Sequence, residues 1–362
     1  MTFTAADHDF MARALRLAEQ GLFTTTPNPR VGCVLVRDGA VVGEGWHARA
    51  GGAHAEIHAL DAAGGHARGA TAYVTLEPCS HHGRTPPCAD ALIAAGAARV
   101  VVAMRDPNPQ VGGKGIEKLR AAGIAVDEGL MASEARELNI GFVSRMERGR
   151  PWVRAKLAAS LDGKTALVNG QSQWITGPEA RRDGHVWRAR ACAILTGAGT
   201  VREDDPRLTA RDVDTDRQPL RVVVDSHYET PPTARILAGG NALVAVARED
   251  AAKAAALRAA GAEVTALPDP RGKVDLPRLL RLLAERGVNE LHVEAGHRLN
   301  GALLSEGLID ELLLYFAPTI LGSGREMFPL PEIADLAGRR DLSIIDLRRV
   351  GNDIRVLARP LA

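Results

Sequence analysis

Residues 73–88 read YVTLEPCSHHGRTPPC, an apolar run followed by a loop rich in proline, histidine and cysteine. Shortly upstream, residues 54–60 read HAEIHAL. The thiols of Cys79 and Cys88 and the imidazole of His54 make a three-ligand zinc set, which leaves a fourth position for water. Zinc is inferred over other thiophilic metals from this mixture of thiolate and imidazole ligands. The sequence therefore predicts an open zinc site held by these three side chains.

Glu56 is the candidate for proton transfer at this site. Zinc lowers the pKa of a bound water towards about 7, and a carboxylate that is not a ligand can carry protons from that water to a leaving amine. Nucleobase deaminases use such a site with a short gap between their cysteines, whereas eight residues separate Cys79 from Cys88. Residues two apart in a helix point about 200° apart, so His54 and Glu56 can meet at one metal only if His54 begins its helix.

Two other metal sites fit parts of the same pattern. A closed structural zinc site would need a fourth ligand, and four histidines could supply it: His47, His58, His81 and His82. His54 and His58 have the i, i+4 spacing of zinc proteases, but in those enzymes a glutamate directly follows the first histidine, and here Ala55 does. The interpretation as a zinc protease is therefore disfavoured, whereas a closed structural zinc site with a fourth histidine ligand remains an alternative.

The composition is that of an ordinary globular protein, and the length suggests two domains or one large one. The chain has 362 residues, of which 46% are hydrophobic and 25% charged. Its 45 basic and 44 acidic residues argue against a large nucleic-acid surface. No apolar run approaches the ~20 residues of a membrane span, and the polar N-terminus is not a signal or transit peptide, so we expect a cytoplasmic protein. In that reducing compartment the four cysteines should be free thiols or metal ligands, with Cys33 and Cys192 buried in apolar runs.

The pattern of apolar residues in the first 147 residues predicts a layered α/β domain with a largely parallel sheet. Residues 7–20 fit an amphipathic helix capped by Asp7. The apolar runs 31–36 and 40–46 flank Asp38-Gly39, a strong signal for a hairpin turn. The elements that follow are helix 54–63, strand 70–78, helix 88–96 and strand 98–104.

The pattern changes after about residue 145, where the polar stretch 145–151 ends in proline and is a candidate linker. A second α/β series follows, with helices predicted at 178–190 and 275–286. Its predicted strands are 151–160, 191–197, 219–226, 242–247, 290–296, 311–318 and 353–360. We therefore expect two catalytic domains, 1–147 and 148–362.

Eight longer runs resemble one known family. They are TPNPRVG (26–32), HAEIHAL (54–60), YVTLEPCSHHGRTPPC (73–88), DPNPQVGGKG (106–115), KLAASLDGKTA (156–166), SQWITGPEARR (172–182), ILTGAGTVREDDPRLTAR (194–211) and VEAGHRLNGALL (293–304). Together they span both halves of the chain and resemble the bifunctional riboflavin biosynthesis deaminase-reductases. The resemblance implies a cytidine-deaminase-like α/β/α layered domain at 1–147, followed by a dihydrofolate-reductase-like α/β domain at 148–362.

The same resemblance implies two successive reactions. The first domain would remove, by zinc-dependent hydrolysis, the 2-amino group of 2,5-diamino-6-(5-phosphoribosylamino)pyrimidin-4(3H)-one. The second would reduce the ribosyl side chain of the product with NADPH, giving 5-amino-6-(5-phosphoribitylamino)uracil. We expect a homo-oligomer that acts on this small phosphoribosyl pyrimidine, with neither nucleic acid nor a membrane as a partner.

The resemblance also assigns binding residues in each domain. In the first, Asn28 would orient the pyrimidine, and the ribose phosphate would be held by His81, Arg84 and Asn108. In the second, NADP would bind Ala158, Trp174, Thr200, Asp204, Ser226, Gly296, His297, Arg298, Leu299, Asn300, Gly301 and Ala302. The sugar phosphate substrate would bind Ser172, Arg188, Leu208, Arg211 and Glu294. Lys156 and Asp204 are the candidates near the transferred hydride and its proton.

Two rival functions are weighed against this one. A tRNA adenosine deaminase would share the zinc chemistry, but it should show a basic face and needs no second catalytic domain. A non-catalytic zinc protein would need neither Glu56 nor an open metal position. Without the family resemblance, Trp174 would be interpreted as a core aromatic residue and Asp204 as part of a helix cap or turn.

Overall fold

The computed structural model of the protein describes residues 3–80, 87–109 and 111–361. They form two compact units, here termed unit 1 (to Gly149) and unit 2 (from Arg150). The stretch 145–151 is not a linker over its whole length, because a helix continues through it to Arg148. The chain leaves the helical conformation at Gly149, whose φ of 65° is a value that glycine adopts without strain.

Unit 1 is an α/β domain built on one sheet. Within the described ranges its helices are α1 (Ala5–Glu19), α2 (Ala55–Ala63), α3 (Cys88–Ala95), α4 (Lys114–Ala121), α5 (Ala132–Leu138) and α6 (Ile140–Arg148). Its strands are β1 (Gly32–Arg37), β2 (Ala40–Trp46), β3 (Thr71–Val74), β4 (Arg99–Val102) and β5 (Ala125–Glu128). Each element predicted between residues 54 and 104 is present, with shorter strands than the apolar runs suggested.

The sheet of unit 1 is mixed rather than largely parallel. Its strand order is β2-β1-β3-β4-β5, with β3, β4 and β5 parallel and β1 antiparallel to both of its neighbours. The predicted hairpin is confirmed, because Asp38 (φ 53°) and Gly39 (φ 77°) turn the chain directly from β1 into β2. That tight turn reverses the chain, so β1 and β2 pair in the antiparallel direction.

The cap of α1 differs from the prediction. Thr4 is the N-cap, and Asp7 is the third helical residue of a capping box in which each side chain bonds to the backbone of the other. The Asp7 carboxylate is buried and also accepts hydrogen bonds from the Tyr73 hydroxyl and the Arg99 guanidinium, both at 2.7–2.8 Å. The aspartate therefore fastens the helix to strands β3 and β4.

Unit 2 is a second α/β domain. Within the described ranges its helices are α7 (Pro178–Arg190), α8 (Ala198–Asp204), α9 (Ala251–Ala259), α10 (Leu276–Glu285) and α11 (His297–Ser305). Its strands are β6 (Trp152–Ser160), β7 (Lys164–Leu167), β8 (Ala193–Gly197), β9 (Leu220–Val224), β10 (Ala242–Val246), β11 (Ala262–Ala266), β12 (Glu290–Val293), β13 (Glu311–Ala317), β14 (Gly324–Glu326), β15 (Leu342–Val350) and β16 (Asp353–Pro360).

The main sheet of unit 2 has the order β11-β10-β9-β8-β12-β6-β13-β16-β15. The strands from β11 to β13 are parallel, and β16 and β15 continue the sheet in antiparallel pairing. All seven predicted strands and both predicted helices are present. Strands β7, β11, β14 and β15 were not predicted, because β7 and β14 are very short and most of β15 is exposed and lacks an alternating apolar pattern.

The parallel strands determine where the second site lies. Strands β6, β8 and β12 are neighbours that run in the same direction, so their carboxyl ends meet at one edge of the sheet. Helix α8 follows β8 directly, and three residues separate the end of β12 from the start of α11. Clefts at such an edge are the usual ligand sites of open α/β sheets. Within the described ranges, no helix is both long and apolar enough to cross a membrane.

Candidate active sites

Three elements bring the predicted metal ligands together. His54 is the N-cap of α2, with extended backbone angles (φ −78°, ψ 164°), and Cys88 is the first residue of α3. Cys79 lies in the segment after β3. The condition set by the sequence, that His54 must begin its helix, is confirmed, and Glu56 therefore lies in the first turn beside it.

The spacing of the three ligand atoms suits one zinc ion. His54 Nδ1 lies 3.2 Å from Cys88 Sγ and 3.6 Å from Cys79 Sγ, and all three atoms lie within 4.8 Å of one another. Tetrahedral zinc, with bonds of about 2.1 Å to nitrogen and 2.3 Å to sulfur, separates such atoms by about 3.6 Å. The donor set and its geometry therefore fit zinc, with Nδ1 as the ligand atom of the histidine.

The surroundings of Cys79 favour a negatively charged sulfur. The Cys88 thiol, the Cys88 backbone N–H at 3.3 Å and the His54 ring all contact Cys79 Sγ. These contacts outweigh the effect of burial and lower the pKa of Cys79 to about 4. The thiolate is the form of cysteine that binds a metal.

Glu56 is the buried carboxyl group of this site. Its side chain is only 3% exposed, and it lines the same cavity as His54 and Cys79. Burial raises the pKa of Glu56 to about 7, and the positive charge of a protonated His54 opposes that shift. A carboxyl group that titrates near neutral pH can both accept a proton and return it.

Two of the four histidines considered as a fourth ligand lie within the described residues. Among those residues, the metal-binding cluster contains only His54, Cys79 and Cys88. His58 is exposed on α2, and His47 is buried with both ring nitrogens engaged elsewhere. His81 and His82 lie outside the described residues.

A cavity of about 570 Å³ opens in front of the metal ligands. Its wall includes His54, Glu56 and Cys79 as well as Asn28 and Asn108, which the resemblance assigned to the substrate. The rest of the wall is formed by Pro27, Pro29, Val31, His47, Ala50, Gly51, Gly52, Leu76, Glu77, Asp106, Val111 and Phe142. Arg84, the other residue assigned to the ribose phosphate with His81, also lies outside the described residues.

The orientation of Asn28 follows from its contact with His47. Nδ1 of His47 lies 3.0 Å from the carbonyl oxygen of Ala53, which can only accept, so this nitrogen carries the proton. Nε2 of the neutral ring is then an acceptor, and it lies 3.1 Å from Nδ2 of Asn28. The Asn28 amide therefore donates to His47 and turns its oxygen the other way. His47 was considered from the sequence only as a metal ligand, and no motif pointed to this pairing.

A second cavity, of about 230 Å³, lies at the carboxyl ends of β6, β8 and β12 in unit 2. Many of the residues assigned to the cofactor or substrate line it: Lys156, Ala158, Ser172, Thr200, Asp204, Glu294, Gly296, His297 and Asn300. These residues come from strands, helices and loops far apart in the chain. The fold therefore brings these nine assigned residues together in one cleft at the edge of the sheet.

Lys156, Glu294 and Asp204 are charged residues that line this second cavity, and Arg188 contacts Glu294. Burial lowers the pKa of Lys156, and the nearby Arg188 adds to that effect, while Glu294 opposes it. Arg188 donates two hydrogen bonds to the Glu294 carboxylate, at 2.5 and 2.8 Å. Burial by itself raises the pKa of Glu294, but the Arg188 guanidinium outweighs it and holds that pKa well below its usual range. Burial also raises the pKa of Asp204.

Several other assigned residues do not line the second cavity. Trp174 is 71% exposed and stacks with the Arg181 guanidinium at 4.7 Å, so it is not a core aromatic residue. The Ser226 hydroxyl accepts a hydrogen bond from the backbone N–H of Val274. Arg211 lies against His185.

Some of the remaining assigned residues pack against the core or against neighbouring elements of unit 2. Leu208 is buried, and Leu299 packs partly against the core of unit 2. A side chain at Gly301 would meet the ring of Pro329 at 2.7 Å, so this glycine allows close packing of α11. Arg298 is exposed and Ala302 is partly buried, and neither lines the cavity described above.

Two charged residues of the second cavity were not predicted. Arg325 and Glu203 both line it and form an ion pair at 3.1 Å. Glu203 stands within the quoted run 194–211 and could have been included by its proximity to Asp204. Arg325 comes from the short strand β14, for which the sequence carries no signal.

Comparisons with known proteins match both units. The family described as the cytidine and deoxycytidylate deaminase zinc-binding region matches residues 4–104, and the RibD C-terminal domain family matches residues 151–356. The chain is 51% identical to the riboflavin biosynthesis protein RibD of Escherichia coli (strain K12), over 96% of this chain and 98% of that protein.

Solved structures agree with these matches over the full length. RibD of Acinetobacter baumannii is 42% identical and covers 99% of both chains with a TM-score of 0.92. A diaminohydroxyphosphoribosylaminopyrimidine deaminase/5-amino-6-(5-phosphoribosylamino)uracil reductase of Thermotoga maritima is 36% identical, with a TM-score of 0.87 over 98% of this chain and 99% of that one.

Proposed function

The chain belongs to the RibD family, and from that membership we propose that it is a bifunctional enzyme of riboflavin biosynthesis. Its deaminase domain, residues 1–147, hydrolyses the 2-amino group of 2,5-diamino-6-(5-phosphoribosylamino)pyrimidin-4(3H)-one. Its reductase domain, residues 148–362, then reduces the ribosyl side chain with NADPH to give 5-amino-6-(5-phosphoribitylamino)uracil. Both activities are named together for the relative from Thermotoga maritima.

One observation carries the first activity. The buried Glu56 carboxyl shares a cavity with His54 and Cys79, next to Cys88. A structural metal site has no need of a buried acid in an adjoining cavity of about 570 Å³, whereas hydrolysis of an amine needs a group that moves protons. The arrangement therefore favours a deaminase over a non-catalytic zinc protein.

The metal ligands and three residues near them, Glu56, Asn28 and His47, each have a defined task. Zinc held by His54, Cys79 and Cys88 supplies an acidic water when it is bound. Glu56 accepts a proton at its carboxylate and delivers it to the departing amine, and its burial keeps solvent from exchanging that proton. Asn28, held by His47, presents its amide oxygen to N–H groups of the pyrimidine.

The second cavity supplies charge for the reduction. Lys156, Glu203, Asp204, Glu294 and Arg325 line it. Arg188 and Arg211 do not line it, but they suit the phosphate of the substrate, because a guanidinium offers paired donors in one plane. Lys156 and Asp204 face the cavity and are the groups that can supply the proton that accompanies the hydride. The N-terminal end of α11 would hold a phosphate of NADPH, through the backbone N–H groups that the first turn of a helix leaves unpaired.

The whole protein provides the direct test of both activities. With the diamino substrate alone, it should release one ammonia per substrate and accumulate the deaminated ribosyl compound. On addition of NADPH, that compound should be consumed with equal oxidation of NADPH, followed at 340 nm (a wavelength at which only the reduced cofactor absorbs). Release of ammonia from adenosine in tRNA, with none from the diamino substrate, would instead support the tRNA deaminase alternative.

Two further assignments concern the molecule as a whole. None of the four cysteines forms a disulfide, and two of them belong to the metal-binding cluster, which fits the reducing environment of the cytoplasm.

The chain also forms a homo-oligomer through strand β15, the last strand of the main sheet of unit 2. Ile344 and Leu347 on this strand are 61% and 62% exposed, and the neighbouring Ile354 is 37% exposed. The unpaired backbone groups of a nine-residue edge strand are a template for pairing, and a second copy would offer a complementary strand across a two-fold axis.

Replacing Leu347 with glutamate should therefore dissociate the oligomer. Burying a new charge among the exposed apolar side chains of two paired strands is unfavourable, so we expect the L347E variant to sediment as a single chain while the wild type sediments as an oligomer. Analytical ultracentrifugation over a range of concentrations gives both masses. V168E is the matched control, because Val168 is also exposed, at 75%, but lies outside β15. A wild-type protein that sediments as a single chain would contradict the assignment.

A further inference from the structure

Glu77 belongs to the segment that carries the metal ligand Cys79, and it also forms part of the wall of the first cavity. It is two residues before Cys79, its side chain is 4% exposed, and it lines the cavity. The proposed mechanism gives it no task. Buried carboxylates of this kind are uncommon unless their oxygens are fully hydrogen-bonded.

Among the described residues, the Glu77 carboxylate accepts hydrogen bonds from four backbone N–H groups of one distant segment. One oxygen accepts from Gly113 at 2.8 Å and Asp106 at 3.2 Å, and the other accepts from Gly115 at 2.8 Å and Ile116 at 3.3 Å. All four donors lie at least 29 residues further along the chain. One negative charge thus holds both the loop before α4 and the first turn of that helix.

The segment fastened in this way carries part of the cavity wall. Asp106, Asn108 and Val111 all line the cavity. The Asn108 backbone N–H donates to the Asp106 side chain at 2.8 Å, so the position of Asn108 follows that of Asp106, whose own N–H is held by Glu77. Gly115 fits tightly here, because a Cβ at this position would lie 1.9 Å from the Pro78 carbonyl oxygen.

We propose that Glu77 is a positioning residue for the deaminase substrate, setting the distance between the metal centre and the part of the wall that carries Asn108. The inference rests on the proposed deaminase function. Glu77 is not a member of the metal-binding cluster found among the described residues. It acts through the loop, and its loss should therefore weaken substrate binding more than it slows the chemical step.

The test is the E77Q variant, assayed for both activities. Glutamine keeps the size of the side chain, but its amide nitrogen is a donor and would face backbone N–H donors. We expect the deaminase KM for the diamino substrate to rise about 10- to 100-fold with less than about a threefold change in kcat. Zinc content should match the wild type, and NADPH oxidation with the deaminated compound should be unchanged.

Two further variants separate positioning from general stability. D225N is the matched control, because the buried Asp225 carboxylate of unit 2 also accepts several backbone N–H bonds, from residues 227, 229 and 230. It should leave deaminase KM unchanged. If E77Q does not fold, as judged by loss of reductase activity too, the charge-retaining E77D should show a smaller rise in KM. In a cycle with N108A, the combined effect of E77D and N108A should be less than the sum of the single effects.

Three results would overturn the inference. They are an unchanged KM in E77Q, a loss of zinc and kcat with KM unchanged, and full additivity of E77D with N108A. A wild-type protein that releases no ammonia would instead refute the proposed function itself, so the two failures are distinguishable.

Discussion

Replacing Glu56 with glutamine is expected to abolish ammonia release from the diamino substrate while NADPH oxidation on the deaminated compound continues at the wild-type rate. The amide occupies the same buried volume but has no proton to give and no basic oxygen of comparable strength. Loss of a general acid–base group lowers a rate by about 10²–10⁴, and this carboxyl serves both proton transfers. We therefore expect a fall in kcat at the upper end of that range, measured as ammonia released at saturating substrate.

Two controls show whether the loss of activity in E56Q comes from proton transfer: the zinc content of the variant and a substitution at another buried carboxylate. Metal analysis of E56Q should find zinc at the wild-type level, because Glu56 is not one of the three ligands. The matched control is D7N, since Asp7 is another buried carboxylate of unit 1 but lies in the α1 capping network. We expect D7N to lower the melting temperature without changing kcat. Near-normal turnover by E56Q would remove Glu56 from the mechanism.

The metal site could be predicted because its chemistry is local in sequence. His54 and Glu56 lie within three residues, and Cys79 and Cys88 flank one loop, so residue types and spacing sufficed to predict these three ligands, with a fourth histidine ligand as the alternative. Helix geometry also required that His54 begin its helix if Glu56 is to reach the same metal, and the structure fulfils this requirement. The hairpin at Asp38-Gly39 was predictable for the same reason, since both turn residues tolerate positive φ.

Features set by contacts between distant segments were not predictable in this way. Glu77 binds backbone groups 29 to 39 residues further on, and backbone N–H groups leave no mark in the sequence. Arg188 and Glu294 are separated by 106 residues and meet only because α7 packs beside β12. The family resemblance assigned both residues to the substrate, but the pairing itself appears only in the structure.

Replacing Lys156 with methionine is expected to have the second largest effect, on the reductase. Reduction of the ribosyl carbon adds one hydride and one proton, and the Lys156 ammonium faces the cavity from β6. Methionine fills a similar length without a proton to donate, so kcat for NADPH oxidation should fall about 10²–10⁴-fold. Ammonia release by unit 1 should be unchanged, because the zinc ligands and Glu56 all belong to the other unit.

The pH profile distinguishes Lys156 from Asp204 as the proton donor. Burial lowers the pKa of Lys156, so its protonated form is lost at a lower pH than the ~10.4 of a free lysine. The wild-type reductase rate should fall as pH rises through that lowered pKa, and K156M should lose this alkaline limb together with most of its rate. D204N is the matched control, because Asp204 faces the same cavity and its pKa is raised by burial. If D204N removes the limb while K156M keeps it, the proton comes from Asp204 and Lys156 serves only to bind the substrate.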